Sequence, residues 1–305
     1  MSKQKERGRQ RKQQKAQSRW LMAAGILIVL AAGLWIVFSS SKFRNDSTLP
    51  ISRLSTNDFH SLAFSATEPE TIFFGHHDGL QVSHNGGKDW QPTTLTNTDA
   101  MALGVSPSSP QTMYAAGHNV FVKTNDGGKT WQSVPASLPG LDIHAFTVDP
   151  ENPNKVFAYV VSFGLFGSED GGISWESLSV TVPSSIHSLT LGEDVQTLYA
   201  AAGGAGLWQS QDGGQTWIPV QNIPANGAIA VAYARANNRL YLTTLDPAAG
   251  LYYSDDGGQT WASTALSGTL LAVAVSPLDP NRIIAVNDQG EVFASRDSGI
   301  SWSGE

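Results

Sequence analysis

The stretch SQDGGQTW, Ser210 to Trp217, decides the reading of this chain because it returns five more times in altered form. The copies are SHNGGKDW ending at Trp90, TNDGGKTW at Trp131, SEDGGISW at Trp175, SDDGGQTW at Trp261 and SRDSGISW at Trp302. Successive tryptophans stand 41, 44, 42, 44 and 41 residues apart. One glycine-rich turn in each period of just over forty residues is the signature of a four-stranded propeller blade. The glycine pair supplies positive φ without a Cβ clash. Asp126, Asp170, Asp212, Asp256 and Asp297 accept hydrogen bonds across the turn, and the leading Ser or Thr adds another. Such a turn joins two antiparallel strands, and the tryptophan opens the outer one. Its ring buries roughly 150 to 250 Å², worth about 4 to 6 kcal/mol gross at about 25 cal/mol per Å². Trp90, Trp131, Trp175, Trp217, Trp261 and Trp302 are therefore read as structural staples. The first turn has Asn85 in place of aspartate and the last has Ser298 in place of glycine, so these two are expected to be the looser ones.

Each repeat otherwise runs through an apolar inner strand, a Pro-rich loop, a second strand, a short Gly turn and a third strand that leads into the octet. The inner strands begin DFHSLAF at Asp58, DAMALGV at Asp99, DIHAFTV at Asp142, SIHSLTL at Ser185, GAIAVAY at Gly227 and TLLAVAV at Thr269. Their period-two alternation marks them as strands, and the prolines that follow stop them. The sixth repeat ends at Trp302 with three residues left, whereas TLPISRLST, residues 48–56, precedes the first repeat without a blade of its own. That segment is expected to complete the last sheet and close the ring.

The octets resemble the Asp-box, or bacterial neuraminidase repeat, of sialidases, xyloglucanase-type glycosidases, sortilin ectodomains and photosystem II assembly-factor-like proteins. The resemblance covers about residues 51–305. It implies an all-β, six-bladed propeller and leaves the chemistry open, because the families that share the box do unrelated things. The segments DFHSLAF, GHHDGL, AAGH and DIHAF also resemble a group of bacterial membrane-anchored or secreted Asp-box proteins called glycosylhydrolase-like.

Ahead of the propeller the composition changes twice. Residues 1–19 hold eight Lys or Arg against one Glu, a Gln-rich tail expected to be disordered and cytoplasmic. Residues 20–38 carry no charge and would span about 28 Å as a helix, with Trp20 and Trp35 as interfacial aromatics. An uncleaved single-pass anchor is favoured over a signal peptide, whose apolar core is usually about 7 to 15 residues. The positive-inside rule then puts the N-terminus in the cytoplasm and the propeller outside the cell membrane, joined by a linker at 39–47. Residues 39–305 have 11 basic against 25 acidic residues, a net of −14, which disfavours nucleic acid as a partner. There is no cysteine, so thiol chemistry is excluded. A monomeric propeller is expected.

The links into the inner strands and the turns between second and third strands share one face, and in Asp-box families that face carries the site. The third residue of each inner strand is His60, Met101, His144, His187, Ile229 and Leu271, each 30 to 32 residues before its tryptophan. Asp58, Asp99 and Asp142 lie two residues earlier. His77 and His118 each stand thirteen residues before a tryptophan, at the facing turn. Three readings are open. Polar residues line a wet channel mouth because nothing apolar packs there. Alternatively His60, His77, Met101, His118, His144 and His187 hold copper or zinc, the thioether favouring copper. In the third, two of Asp58, Asp99 and Asp142 act as acid and base on a neutral glycan, which needs carboxyls about 5 to 9.5 Å apart. The sialidase reading is disfavoured. The resemblance would require an arginine triad, a Tyr-Glu pair and an Arg-Ile-Pro signature, whereas Arg235, Arg239, Arg282 and Arg296 fall on the opposite face and Arg53 in the closing strand. The reading adopted is a membrane-anchored propeller whose His-rich face binds a metal ion or an extracytoplasmic protein, with glycan hydrolysis as the alternative.

Overall fold

The computed structural model describes residues 48–56 and 58–302. These form six four-stranded antiparallel sheets arranged as blades. Strand β1 (Ser52–Arg53) comes first. Blade 1 is β2 (Ser61–Phe64), β3 (Ile72–His76), β4 (Gly79–Ser83) and β5 (Gln91–Thr96), and blade 2 is β6 (Ala102–Val105), β7 (Met113–Gly117), β8 (Val120–Thr124) and β9 (Gln132–Ser133). Blade 3 follows as β10 (Ile143–Val148), β11 (Val156–Val160), β12 (Gly164–Ser168) and β13 (Glu176–Ser179), and blade 4 as β14 (Ser188–Leu191), β15 (Leu198–Ala201), β16 (Leu207–Ser210) and β17 (Ile218–Pro219). Blade 5 is β18 (Ala228–Ala234), β19 (Arg239–Thr244), β20 (Gly250–Ser254) and β21 (Ala262–Ser267), while blade 6 has only β22 (Leu270–Val275), β23 (Ile283–Asn287) and β24 (Glu291–Ser295) of its own. The expected tail, membrane span and linker at 1–47 lie outside the described residues. Among the described residues no helix is long and apolar enough to cross a membrane.

The ring closes as the sequence leads one to expect. β1 pairs antiparallel with β24, Ser52 opposite Val292 and Arg53 opposite Glu291. The Ile51 N–H donates to the Val292 carbonyl at 2.8 Å and the Leu54 N–H to the Gly290 carbonyl at 2.8 Å. Leu54 is buried with Phe59, Phe74, Ile284, Val286 and Val292, a cluster shared by blades 6 and 1. The other core clusters also lie between neighbouring blades. Tyr114 and Phe121 meet Phe146 and Phe166 between blades 2 and 3, and Tyr159 and Leu165 meet Leu189 and Leu198 between blades 3 and 4. Apolar burial, the main driving force, thus welds each sheet to its neighbour.

The octets work at those seams. In the fourth, the Ser210 hydroxyl donates to Asp212 Oδ1 at 2.8 Å and accepts the Gly214 N–H at 2.9 Å, and Asp212 Oδ1 accepts the Thr216 N–H at 2.9 Å. The second glycine has a tertiary reason as well as a conformational one. Gly172 sits at φ 89°, and a Cβ there would come within 2.4 Å of the Phe121 ring of the preceding blade. Each tryptophan packs on the same seam, as Trp175 does against the blade 2–3 cluster and Trp217 against the blade 3–4 cluster. They join blades and do not merely cap their own turn. Each described outer strand starts one residue after its tryptophan.

The first and last turns are not the looser pair. Asn85 Oδ1 accepts the Ser83 hydroxyl at 3.0 Å and the Asp89 N–H at 3.0 Å, standing in for the aspartate. Ser298 takes the left-handed conformation at φ 61°, and its hydroxyl donates to Asn281 Oδ1 at 2.9 Å. Trp302, at 1% exposure, is the one fully buried octet tryptophan.

Candidate functional site: a histidine and aspartate array at the channel mouth

The inner strands of all six blades surround a channel of 1260 Å³, lined at one tier by His60, Met101, His144, His187, Ile229 and Leu271. The six equivalent positions of the sequence thus face one space. At this tier blades 1, 3 and 4 present imidazoles, blade 2 a thioether, and blades 5 and 6 an apolar wall. Arg235 lines the channel too, and is bound there to the Gly192 and Glu193 carbonyls.

Two local devices bring the remaining residues to the mouth. Within a blade, the aspartate before the inner strand accepts a backbone N–H from the turn after the second strand. His77 N–H donates to Asp58 Oδ2 at 2.7 Å and His118 N–H to Asp99 Oδ2 at 2.9 Å, both across nineteen residues. Between blades, that turn is stitched to the next inner strand. The Ala100 N–H donates to the His76 carbonyl at 3.0 Å and the Asn119 N–H to the Leu141 carbonyl at 2.9 Å, while His118 and Asp142 form an isolated antiparallel bridge. Each turn histidine therefore stands between the aspartate of its own blade and that of the next.

The result is a continuous row. His60 and His77 are edge to face with ring centroids 4.4 Å apart, His77 and His118 stack at 5.7 Å, and His118 and His144 meet edge to face at 5.2 Å. Asp58 pairs with His77 Nδ1 and lies 3.6 Å from His60 Nε2. Asp99 Oδ2 is 2.6 Å from His118 Nδ1. Asp142 Oδ1 is 3.7 Å from His118 Nε2 and 3.0 Å from His144 Nε2. The last two atoms are buried and face each other without forming a hydrogen bond, and Asp99 Oδ1 is likewise buried without one. Three sets have donor atoms within 4.8 Å of one another: Asp58, His60 and His77; His77, Asp99 and His118; and His118, Asp142 and His144.

Burial, and then the charge of His77, lowers the pKa of His60, and burial followed by the charge of His144 does the same to His187. Both are held toward the neutral form, which is the metal-ligating form. Burial acts to raise the Asp58 carboxyl, but the Thr56 hydroxyl, the His77 N–H and the nearby imidazoles outweigh it and leave the pKa low.

Of the residues the sequence singled out, Asp58, His60, His77, Asp99, His118, Asp142 and His144 converge. Met101 and His187 share the channel wall but stand outside the three sets. His76 turns into blade 1, stacked on Phe74 at 5.6 Å. The sequence reading missed the pairing of Asp58 with His77 and of Asp99 with His118. The recurring nineteen-residue interval was the available signal.

A sequence model of the family described as "Sortilin, neurotensin receptor 3" (Sortilin-Vps10) matches residues 205–304. No curated protein matches the chain. Among solved structures, the GH74 enzyme of Niastella koreensis superposes with a TM-score of 0.63 at 19% identity, covering 83% of this chain and 46% of its own. The GH74 xyloglucanase of Xanthomonas campestris gives 0.60 at 16% identity, with the same 83% and 46% coverage. YCF48 bound to a D1 peptide gives 0.56 at 17% identity and covers 83% of each chain. The chain thus spans about half the length of the GH74 enzymes it matches and most of the length of YCF48. By fold this chain is a six-bladed β-propeller, similar in architecture to the GH74 and YCF48 structures and, over residues 205–304, similar in sequence to the sortilin family model.

Proposed function

We propose that the chain is a membrane-anchored, extracytoplasmic propeller that binds a divalent transition metal, zinc or copper, at the mouth of its channel. The observation that carries this reading is the row of four imidazoles and three carboxylates, with His144 Nε2 and Asp142 Oδ1 buried and facing each other at 3.0 Å without a hydrogen bond. Desolvated donors without partners cost about 1 to 3 kcal/mol each, and a cation shared between them recovers that cost. Crowded imidazoles repel one another when protonated, so protons are a poor substitute. Two histidines and one carboxylate per set leave coordination positions open, as in sites where a metal meets a ligand.

A partner polypeptide is the second use of the same face, supported by the YCF48 relative that carries a D1 peptide and is matched over most of its length. Glycan hydrolysis has less support. A general acid needs a raised pKa, whereas Asp58 is held low and Asp99 is engaged by His118. The test is titration of the metal-stripped full-length chain with zinc and with copper, beside a His60→Ala, His144→Ala double variant. Saturable binding lost in the variant, with an unchanged melting curve, supports the reading. Absence of saturable binding of either metal overturns it.

A further inference from the structure

We infer that the mouth is a two-ion site, filled by the first and third donor sets, with Asp99 acting between them as a positioning residue and not as a ligand. This rests on the metal-binding reading above. The three sets overlap: His77 belongs to the first and second, His118 to the second and third. A neutral imidazole has one ring lone pair to give, its other nitrogen carrying the proton, so a shared histidine that binds an ion in the middle set is withdrawn from its outer set. The outer sets share no residue. Asp58, His60 and His77 hold one ion, and His118, Asp142 and His144 hold the other.

The geometry favours the outer pair. Asp99 Oδ2 already receives the His118 backbone N–H at 2.9 Å and faces the Nδ1 of the same ring at 2.6 Å. That contact puts the proton of the neutral ring on Nδ1 and leaves the lone pair on Nε2, which is the nitrogen facing Asp142, 3.7 Å from its Oδ1. A carboxylate that holds the far nitrogen of a metal-bound imidazole fixes its tautomer and raises its basicity. On the other side, Asp58 Oδ2 holds the His77 N–H and contacts its Nδ1 in the same way, but there the Nδ1 also lies 3.3 Å from His60 Nε2, so an ion that takes the place of the Nδ1 proton meets all three donors of the first set. His77 and His118 stack between the two sets at 5.7 Å. The Asp99 carboxylate beside them supplies negative charge where two dications repel.

The experiment is zinc titration of the full-length, metal-stripped chain by calorimetry, with bound zinc counted by elemental analysis, for wild type and four variants. The wild type is expected to take two ions. His60→Gln and His144→Gln are each expected to take one, and His77→Gln one, with near-ultraviolet circular dichroism confirming the fold. Asp99→Asn is expected to keep two while weakening one of them about 10- to 100-fold, the usual effect of losing an outer partner of a ligand. A wild type that takes one ion, lost in Asp99→Asn and kept in His60→Gln and His144→Gln, places the metal in the middle set. That result overturns the two-ion inference and leaves metal binding standing. No zinc in any protein overturns both.

Discussion

Ring closure gives the sharpest quantitative test of the fold. Blade 6 has three strands of its own and takes its fourth from residues near the start of the propeller, so a perturbation at Leu54 should destabilise the whole ring. Leu54 is 3% exposed, within the cluster shared by blades 6 and 1. Truncating it to alanine removes buried methyl and methylene groups between two blades that cannot both collapse inward. Leu→Ala changes at such sites cost about 2 to 5 kcal/mol, and about 3 kcal/mol is expected here. For a domain of this size each kcal/mol lowers Tm by about 2 to 4 °C, so the melting point should fall by about 6 to 12 °C. Arg53→Ala is the control. Its side chain is 60% exposed and 3.6 Å from Glu291, and such an exposed pair is worth about 0 to 1 kcal/mol. Urea denaturation followed by tryptophan fluorescence and far-ultraviolet circular dichroism should show the Leu54→Ala loss in one transition by both probes. A Leu54→Ala midpoint indistinguishable from that of Arg53→Ala would refute the closure argument.

The box tryptophans should matter for stability alone: Trp217→Ala is expected to cost about 2 to 4 kcal/mol and to leave zinc titration unchanged, and lost binding with an unchanged melting curve would contradict this. Acid should weaken the turns, because hydrogen bonds from Thr216 and Thr260 hold Asp212 and Asp256 at about 2 and bonds from Ser174 hold Asp170 at about 2, against 3.8 for a free side chain. A depressed folded-state pKa contributes stability that is whole above about pH 4 and is lost as pH falls toward 2. Melting curves across that interval should fall in wild type and fall less in Asp212→Asn, since Asn85 already does the same work uncharged; equal slopes would argue against the assignment. Glu70→Ala should cost about 2 kcal/mol by leaving Arg282, whose side chain is 9% exposed, without its partner at 2.8 Å. A thermal shift under about 1 °C would mean that the Arg282 and Glu70 pair contributes nothing to the seam.

Much of the architecture was legible in the chain. The octet period set the blade count, because a turn with positive φ and a large aromatic must recur wherever the same sheet recurs. The truncated sixth repeat and the spare segment at 48–56 announced the closing strand. Two local readings went astray for a tertiary reason. The turns at Asn85 and Ser298 were expected to be loose on residue identity, yet Asp89 and Ser83 satisfy Asn85, Asn281 holds Ser298, and Trp302 is the most buried of its kind. What packs against a turn is not written in the turn.

The site divides the same way. Equivalent positions along the repeats put His60, Met101, His144 and His187 on one tier of the channel, and the turn spacing put His77 and His118 on the same face. Sequence could go that far because a strand's direction fixes which end of a blade a residue occupies. It could not give the order His60, His77, His118, His144, nor the pairing of Asp99 with His118 Nδ1 and of Asp142 with His144. Those follow from the stitching of each turn to the next blade's inner strand, which sets side chains some forty residues apart within contact. The sequence by itself therefore determined the fold, the ring closure and the face on which the histidines and aspartates gather. Only the tertiary structure decided which donors converge, because convergence depends on the rotation between adjacent blades, and that rotation is set by the apolar packing in the seams between them.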